Sequence, residues 1–325
     1  MTIYNNEQEP LVSVIIPTYN RPSYLREAIK SAVGQTLRNI EILVSDNCSS
    51  ENPQAIVESF QDSRIRFWRN ETNIGMFANA MNTFKKARGK YVASLNDDDV
   101  WNEDFLEKLV PQLEANPDLA LAFCDHYTID SSGAINYVAT ENCTRRWRRD
   151  RLKEGIYQPF CEIGLVSASV PSAVSAVIRR DAVDWGNIPP EVEHKWDLYV
   201  TYMCCRTGGG AYYYPERLTC YREHTQSDTA IGGKQNVQAK IRKAKAEIFC
   251  WERFMEDDRL QEFKPYFRQK WAQENISLGI GLMRLGEQAA ARCYFFRALK
   301  QQKLNLRTMT ALMLSFTPKA IASRF

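Results

Sequence analysis

The stretch "LVSVIIPTYN" spans residues 11–20. Residues 11–17 form a nearly unbroken β-branched run, which suits a strand covered on both faces, as in a parallel sheet. Pro17 stops the ladder by removing a donor. Asn20 is placed to cap a helix that begins at Pro22, where a missing N–H costs nothing. Leu25, Ala28, Ile29, Ala32 and Val33 make its apolar stripe, and Gly34 ends it. The unit repeats. "IEILVSD" (40–46) reads as a second buried strand ending on Asp46, followed by a helix at about 53–60. "RIRFWRN" (64–70) reads as a third strand and "MFANAMNTFKKA" (76–87) as a helix. "KYVASL" (90–95) is a fourth strand, and it runs directly into "NDDDVW" (96–101).

Alternating strands and helices imply a doubly wound α/β sheet with right-handed crossovers. Such sheets bind ligands outside the carboxyl ends of their strands. Four polar clusters fall at those ends: Thr18 to Asn20, Asp46-Asn47, Asn70 to Gly75, and Asn96 to Asp99. Three adjacent aspartates repel one another, and their place at the strand ends puts them at the mouth of a site, not in the core. The plain alternative is a solvated acidic turn before the helix that starts near Asp104.

Farther along, "DFLEKLVPQLEAN" predicts a helix and "LALAFCDHYTID" a strand. "RRWRRDR" (145–151) reads as a basic loop. "SAVSAVIRRDAV" predicts a strand and a short helix, and "WDLYVTYMCCRTGG" a helix closed by glycines. "AYYYPERLTCYREH" has strand character on both sides of Pro215. After about residue 234 the pattern is helical throughout. Leu285-Gly286, Ala290, Tyr294 and Ala298 resemble half of a tetratricopeptide repeat. The expected division is 1–232 for the sheet domain and 233–325 for a helical appendage. The final stretch, "LNLRTMTALMLSFTPKAIASRF", is compatible with lying on a membrane surface and equally with a helix packed on its neighbours.

Composition narrows the class. The 325 residues are 44% hydrophobic and 25% charged, as in ordinary globular proteins. A net charge of +3 is too small to argue for nucleic acid. Nine cysteines lack zinc spacing or a CxxC pair, so free thiols in a reducing cytosol are expected. "MTIYNNEQEPLVSV" has no signal-peptide pattern, and no apolar run of about 18 residues suggests a spanning helix. A cytoplasmic protein is expected, with peripheral contact to the inner face of a membrane as an extension of that reading.

Taken together, "VSVIIPTYNRPSYLREAIKSAVGQTLRNIEILVSDNCS" and "NETNIGMFANAMNTFKKARGKYVASLNDDDVW" resemble the family 2 glycosyltransferases with the GT-A fold. The match is close over about residues 11 to 110 and looser to about 225. The resemblance implies a GT-A-type, mostly parallel sheet, a nucleotide-diphosphate sugar donor, a divalent cation (Mn²⁺ or Mg²⁺) and a glycan or lipid-linked acceptor, with no nucleic-acid partner. It assigns Pro17, Thr18, Tyr19 and Arg21 to the nucleotide, Asp46 to the base edge, Asp97 to the ribose and Asp98 to the metal. Asn96 stands where many members carry Asp. Asn73 lies in a turn read as mostly structural, with donor contact as its functional alternative.

The implied reaction is direct, inverting displacement in polysaccharide or cell-surface glycan synthesis. A hard dication offsets charge on the departing phosphate and takes oxygen ligands, few of them from the protein. A base must accept the proton of the acceptor hydroxyl. The family places it in patterns such as Glu-Asp-Trp-Asp-Leu. Here "EVEHKWDLYV" keeps Trp196, Asp197 and Leu198 but has His194-Lys195 in place of the Glu-Asp pair. Asp197 is the candidate, with Glu193 and Glu191 behind it. Its alternative role is a favourable charge at its own helix N-terminus. "CYREH" (220–224) offers Arg222 to the diphosphate and His224 to the diphosphate or metal. The basic loop would attract an anionic lipid-linked acceptor or headgroups, unless it is only solvated. A non-catalytic nucleotide-sugar or glycan binder is the competing reading. Nucleotidyltransferases and dehydrogenases are disfavoured because no Gly-rich phosphate loop follows the first strand.

Overall fold

A computed structural model describes residues 9–225, 227, 236–301 and 305–317. The expected domain boundary near 232 and the end of the apolar tail lie outside them. The chain divides into two units, residues 1–188 with 200–223, and residues 189–199 with 224–325.

The first unit alternates strand and helix: β1 (Val12–Thr18), α1 (Pro22–Val33), β2 (Ile40–Asp46), α2 (Gln54–Glu58), β3 (Ile65–Arg69), α3 (Met76–Phe84) and β4 (Tyr91–Ser94). It continues through β5 (Val100–Trp101), α4 (Phe105–Ala115), β6 (Leu119–Ile129), α5 (Tyr137–Arg146), β7 (Gly155–Tyr157) and β8 (Ala176–Arg179). After α6 (Trp196–Arg206), whose first turn belongs to the second unit, β9 (Gly210–Arg222) closes the sheet. The order is β3-β2-β1-β4-β8-β6-β9-β5, with β7 on β9. β1 to β4 pair in parallel, as the mostly apolar runs of β1, β2 and β4 predict. β8 enters antiparallel between β4 and β6, so the far half of the sheet is mixed. Gly89 permits the turn into β4: a Cβ there would come within 2.6 Å of the Ser13 amide nitrogen.

Three local expectations change on inspection. Asn20 does not cap α1. It adopts φ 54, a left-handed conformation that Asn tolerates. Its Oδ1 instead accepts from the Ser50 amide at 2.7 Å. Pro17 does not end β1, which runs on to Thr18 with Pro17 in register with Ser45, while β9 continues through Pro215 as its flanking strand character predicts. The basic segment is not all loop. Arg145 and Arg146 end α5, and Arg149 turns inward to Asp125 (Nε to Oδ1, 2.6 Å).

The second unit contains α7 (Val237–Glu256), α8 (Lys264–Arg284), α9 (Gln288–Gln301) and α10 (Leu306–Leu314). Gly286 (φ +77) makes the turn between α8 and α9. Gly279 lets these helices approach: an added Cβ would fall 2.5 Å from the Phe295 ring. Burial and the adjoining Glu247 carboxylate raise Glu274 to about 7, against the opposing pull of Lys243 and Lys195. An acid whose pKa is raised on folding weakens the fold as pH climbs from its unfolded value through its folded one. Glu274→Gln should therefore melt like the parent below about pH 4 and be more stable by about 1–3 kcal/mol near about pH 8, read by thermal unfolding across that range.

All nine cysteines are free thiols. No helix among the described residues is long and apolar enough to cross a membrane.

Candidate active site

Parallel pairing brings the ends of β1, β2 and β4 to one edge. Thr18 lies in register with Asp46, and Ser94 with Ile15. The chain beyond β4 then rises past the end of β1, with the Leu95 amide on the Ile15 carbonyl. This places Asp97 against the turn after β1. Its Oδ2 accepts from Thr18 Oγ1 (2.8 Å) and the Tyr19 amide (3.3 Å), and its Oδ1 from Arg21 Nη1 (2.8 Å). The same Nη1 donates to Asp98 Oδ2 at 2.9 Å. Asp99 turns the other way, accepting from the Arg222 amide and from Asn96 Nδ2, both at 2.9 Å.

All three aspartates are buried. Burial pushes Asp97 up to about 6; Arg21 pulls it down and the Asp98 charge pushes it up again. Burial and Asp98 also raise Asp99 well above the usual carboxylate range. With all three ionised, the loop would carry more negative charge than the Arg21 guanidinium that bridges it offsets. Asn96 relieves part of this, since an aspartate there would set another like charge against Asp99.

Asp46 is fully buried at the end of β2. Both its oxygens accept from the Ser49 amide (3.2 and 3.1 Å), and Arg69 Nε lies 3.4 Å away. In this arrangement Asp46 shapes the β2–α2 turn. Asn73 Oδ1 accepts from Asn47 Nδ2 and the Gly75 amide, each at 2.9 Å, so it fixes its own turn beside the site. Pro17 lies at the end of β1, in register with Ser45. The Tyr19 ring is exposed.

Arg222 is 1% exposed and sits beneath the acidic loop. Its Nε donates to the Asp98 carbonyl (2.8 Å), Nη1 to the Asp130 carbonyl (3.3 Å) and Nη2 to Glu27 Oε2 (2.6 Å). The Tyr24 ring stacks on it at 4.6 Å. These contacts make it a brace for the loop. Glu27 and Tyr24 were not singled out from the sequence, because on α1 they look like ordinary exposed positions.

Asp197, Glu193 and His224 belong to the second unit. Asp197 is in the first turn of α6. Glu193 has φ 40, a conformation costly for a residue with a Cβ, and its Oε1 lies 3.4 Å from Arg242 Nη1. The His224 carbonyl accepts from the Ser227 amide at 3.1 Å. Among the described residues no group of three or more His, Cys, Asp or Glu is arranged to hold a metal. What the first unit offers a cation is hard carboxylate oxygen on an under-neutralised loop. That fits an ion taking most of its ligands from substrate and water.

A family profile, glycosyl transferase family 2, matches residues 13–169. An uncharacterised glycosyltransferase of Methanocaldococcus jannaschii is 40% identical over 131 residues, 39% of this chain and 45% of that protein. The Escherichia coli UDP-Glc:α-D-GlcNAc-diphosphoundecaprenol β-1,3-glucosyltransferase WfgD is 35% identical over 136 residues, covering 41% and 53%. The chain spans about half the length of most curated relatives it matches. In fold it is similar to Staphylococcus aureus TarS, solved with UDP-GlcNAc, at TM-score 0.64 and 14% identity over 96% of this chain and 89% of that one. A second likeness is the Pyrobaculum calidifontis mannosyltransferase PcManGT, solved with GDP-Man and Mn²⁺, at TM-score 0.56 and 18% identity over 98% and 84%. The acidic loop after β4, the β1 turn that grips it and the matched profile agree: residues 13–169 form a family 2 glycosyltransferase domain.

Proposed function

We propose that this protein transfers a sugar, with inversion, from a nucleotide-diphosphate donor to an acceptor hydroxyl, in the synthesis of a polysaccharide or cell-surface glycan. The observation that carries the reading is the pair Asp97 and Asp98, buried at the strand ends and bridged by Arg21 from the β1 turn. Relatives point the same way in their names: WfgD acts on a diphosphoundecaprenol-linked sugar, and TuaG of Bacillus subtilis is a putative teichuronic acid glycosyltransferase.

In this reading Tyr19 offers an aromatic face to the nucleotide, and Thr18 and Arg21 orient Asp97 toward the ribose. Asp46 supports the wall that meets the base. Asp98 is the metal ligand we propose; His224 stays a separate candidate on its sequence match alone. A bound Mn²⁺ or Mg²⁺ would supply Lewis-acid neutralisation of the departing diphosphate. Arg222 keeps the Asp98 backbone in place from below. Asp197 is our choice for the group that takes the acceptor proton, with Glu193 next; the sequence match at Trp196-Asp197-Leu198 supports it.

The test is a thermal-shift screen of nucleotide sugars with and without Mn²⁺. We expect one donor to raise the melting temperature only when the cation is present, by the linkage between binding and stability. No response to any donor would count against a nucleotide-sugar site. A metal-dependent shift without turnover would favour a binding protein, the reading to which the His194-Lys195 replacement lends weight.

A further inference from the structure

Between Tyr137 and Glu154 the chain carries six cations and three acids, so this segment alone equals the formal net charge of the protein, +3. Arg149 is spent internally on Asp125. Arg145, Arg146, Arg148, Arg151 and Lys153 are exposed, and among the described residues none has an acidic group at ion-pair distance. Two of the three local acids are engaged elsewhere: Glu141 pairs with Arg217 (2.8 Å) and Glu154 accepts from the Tyr212 hydroxyl (2.8 Å). Asp150 is the remaining one.

The same surface carries apolar groups where a soluble helix would be polar. Tyr137 and Val138, in the first turn of α5, are 67% and 72% exposed. Arg146 lies over the half-buried Trp147 ring at 5.2 Å. The helix is held on its inner side by Thr140 Oγ1, which accepts from the Thr128 amide, and by Thr144 Oγ1, which donates to Asp125. It therefore runs antiparallel to β6. The end of β6 reaches the acidic edge, because Arg222 bonds both the Asp98 and the Asp130 carbonyls. Tyr137 and Val138 thus lie toward the acidic edge, and the arginines toward the opposite one.

We propose that the outer face of α5 and the segment to Lys153 form a docking surface for an anionic lipid bilayer. The arginines meet headgroup phosphates, and Tyr137 and Val138 enter the interfacial layer. Cations beside exposed apolar groups fit a membrane surface better than a nucleic acid, whose phosphate backbone gives Val138 nothing to bury. If the transfer reaction proposed above is right, a lipid-linked acceptor would approach the acidic edge along the membrane plane.

The experiment is co-sedimentation of the full chain with vesicles of phosphatidylcholine alone, and with about one-third phosphatidylglycerol. Binding should require the anionic lipid and weaken with salt. The combined Arg145→Gln, Arg146→Gln, Arg148→Gln and Arg151→Gln variant should lose about 100-fold or more in partitioning, since each basic residue near such a surface is worth about 5-fold. Val138→Ser should weaken binding several-fold without changing its salt dependence. Melting temperatures of the variants check that they fold. Equal binding by parent and quadruple variant, equal binding to neutral vesicles, or a clear preference for duplex RNA over vesicles would overturn the proposal. These vesicles contain no substrate, so the result does not depend on whether the chain transfers sugar.

Discussion

Asp98→Ala is expected to lower the turnover number for sugar transfer by about 10³-fold or more while leaving the protein folded. Stabilising charge on a departing phosphate through a bound cation is worth several kcal/mol, and each 1.4 kcal/mol or so is about tenfold in rate. Structurally the substitution is mild. Asp98 raises the pKa of both Asp97 and Asp99 by like-charge repulsion, so its removal relieves strain in the loop. Arg21 keeps its bond to Asp97. The measurement is steady-state kinetics with the donor found by the thermal-shift screen and saturating Mn²⁺, beside a melting curve. A variant with near-parental turnover would remove Asp98 from the chemistry.

Arg222→Ala should cost about 2–4 kcal/mol of stability, from stranded carbonyls and the void left by a large buried side chain. The loss leaves the Asp98 and Asp130 carbonyls without their donor, while the half-exposed Glu27 returns to water. Arg222→Lys should recover little, because an ammonium cannot reproduce three divergent N–H bonds and a stack on Tyr24. Denaturant titration gives the number, and a shift below about 1 kcal/mol would mean the loop does not depend on this brace. Donor binding should weaken in the same variants, since the loop they unsettle carries Asp97 and Asp98.

The parallel half of the sheet was readable because fully buried strands are written as continuous β-branched runs. Their polar ends were readable because Pro17, Asp46 and Asn96 mark where the apolar run gives way to polar side chains. Side-chain direction was not. Arg222 looks like a phosphate ligand in "CYREH", yet nothing in that spacing reveals Glu27, some 195 residues earlier, as its partner. Asn20 looks like a helix cap until Ser50 arrives from the next crossover to claim its amide oxygen. Arg149 is indistinguishable from its basic neighbours until Asp125 on β6 selects it. Each misreading involves a long-range polar partner, which local pattern cannot supply. The acidic run was legible for the opposite reason: its meaning came from the strand immediately before it.

A single nitrogen of Arg21 touches both Asp97 and Asp98. The loop therefore carries its own tethered counterion, one that arrives with the polypeptide and cannot diffuse away. The acidic loop can therefore fold without waiting for a dissolved metal.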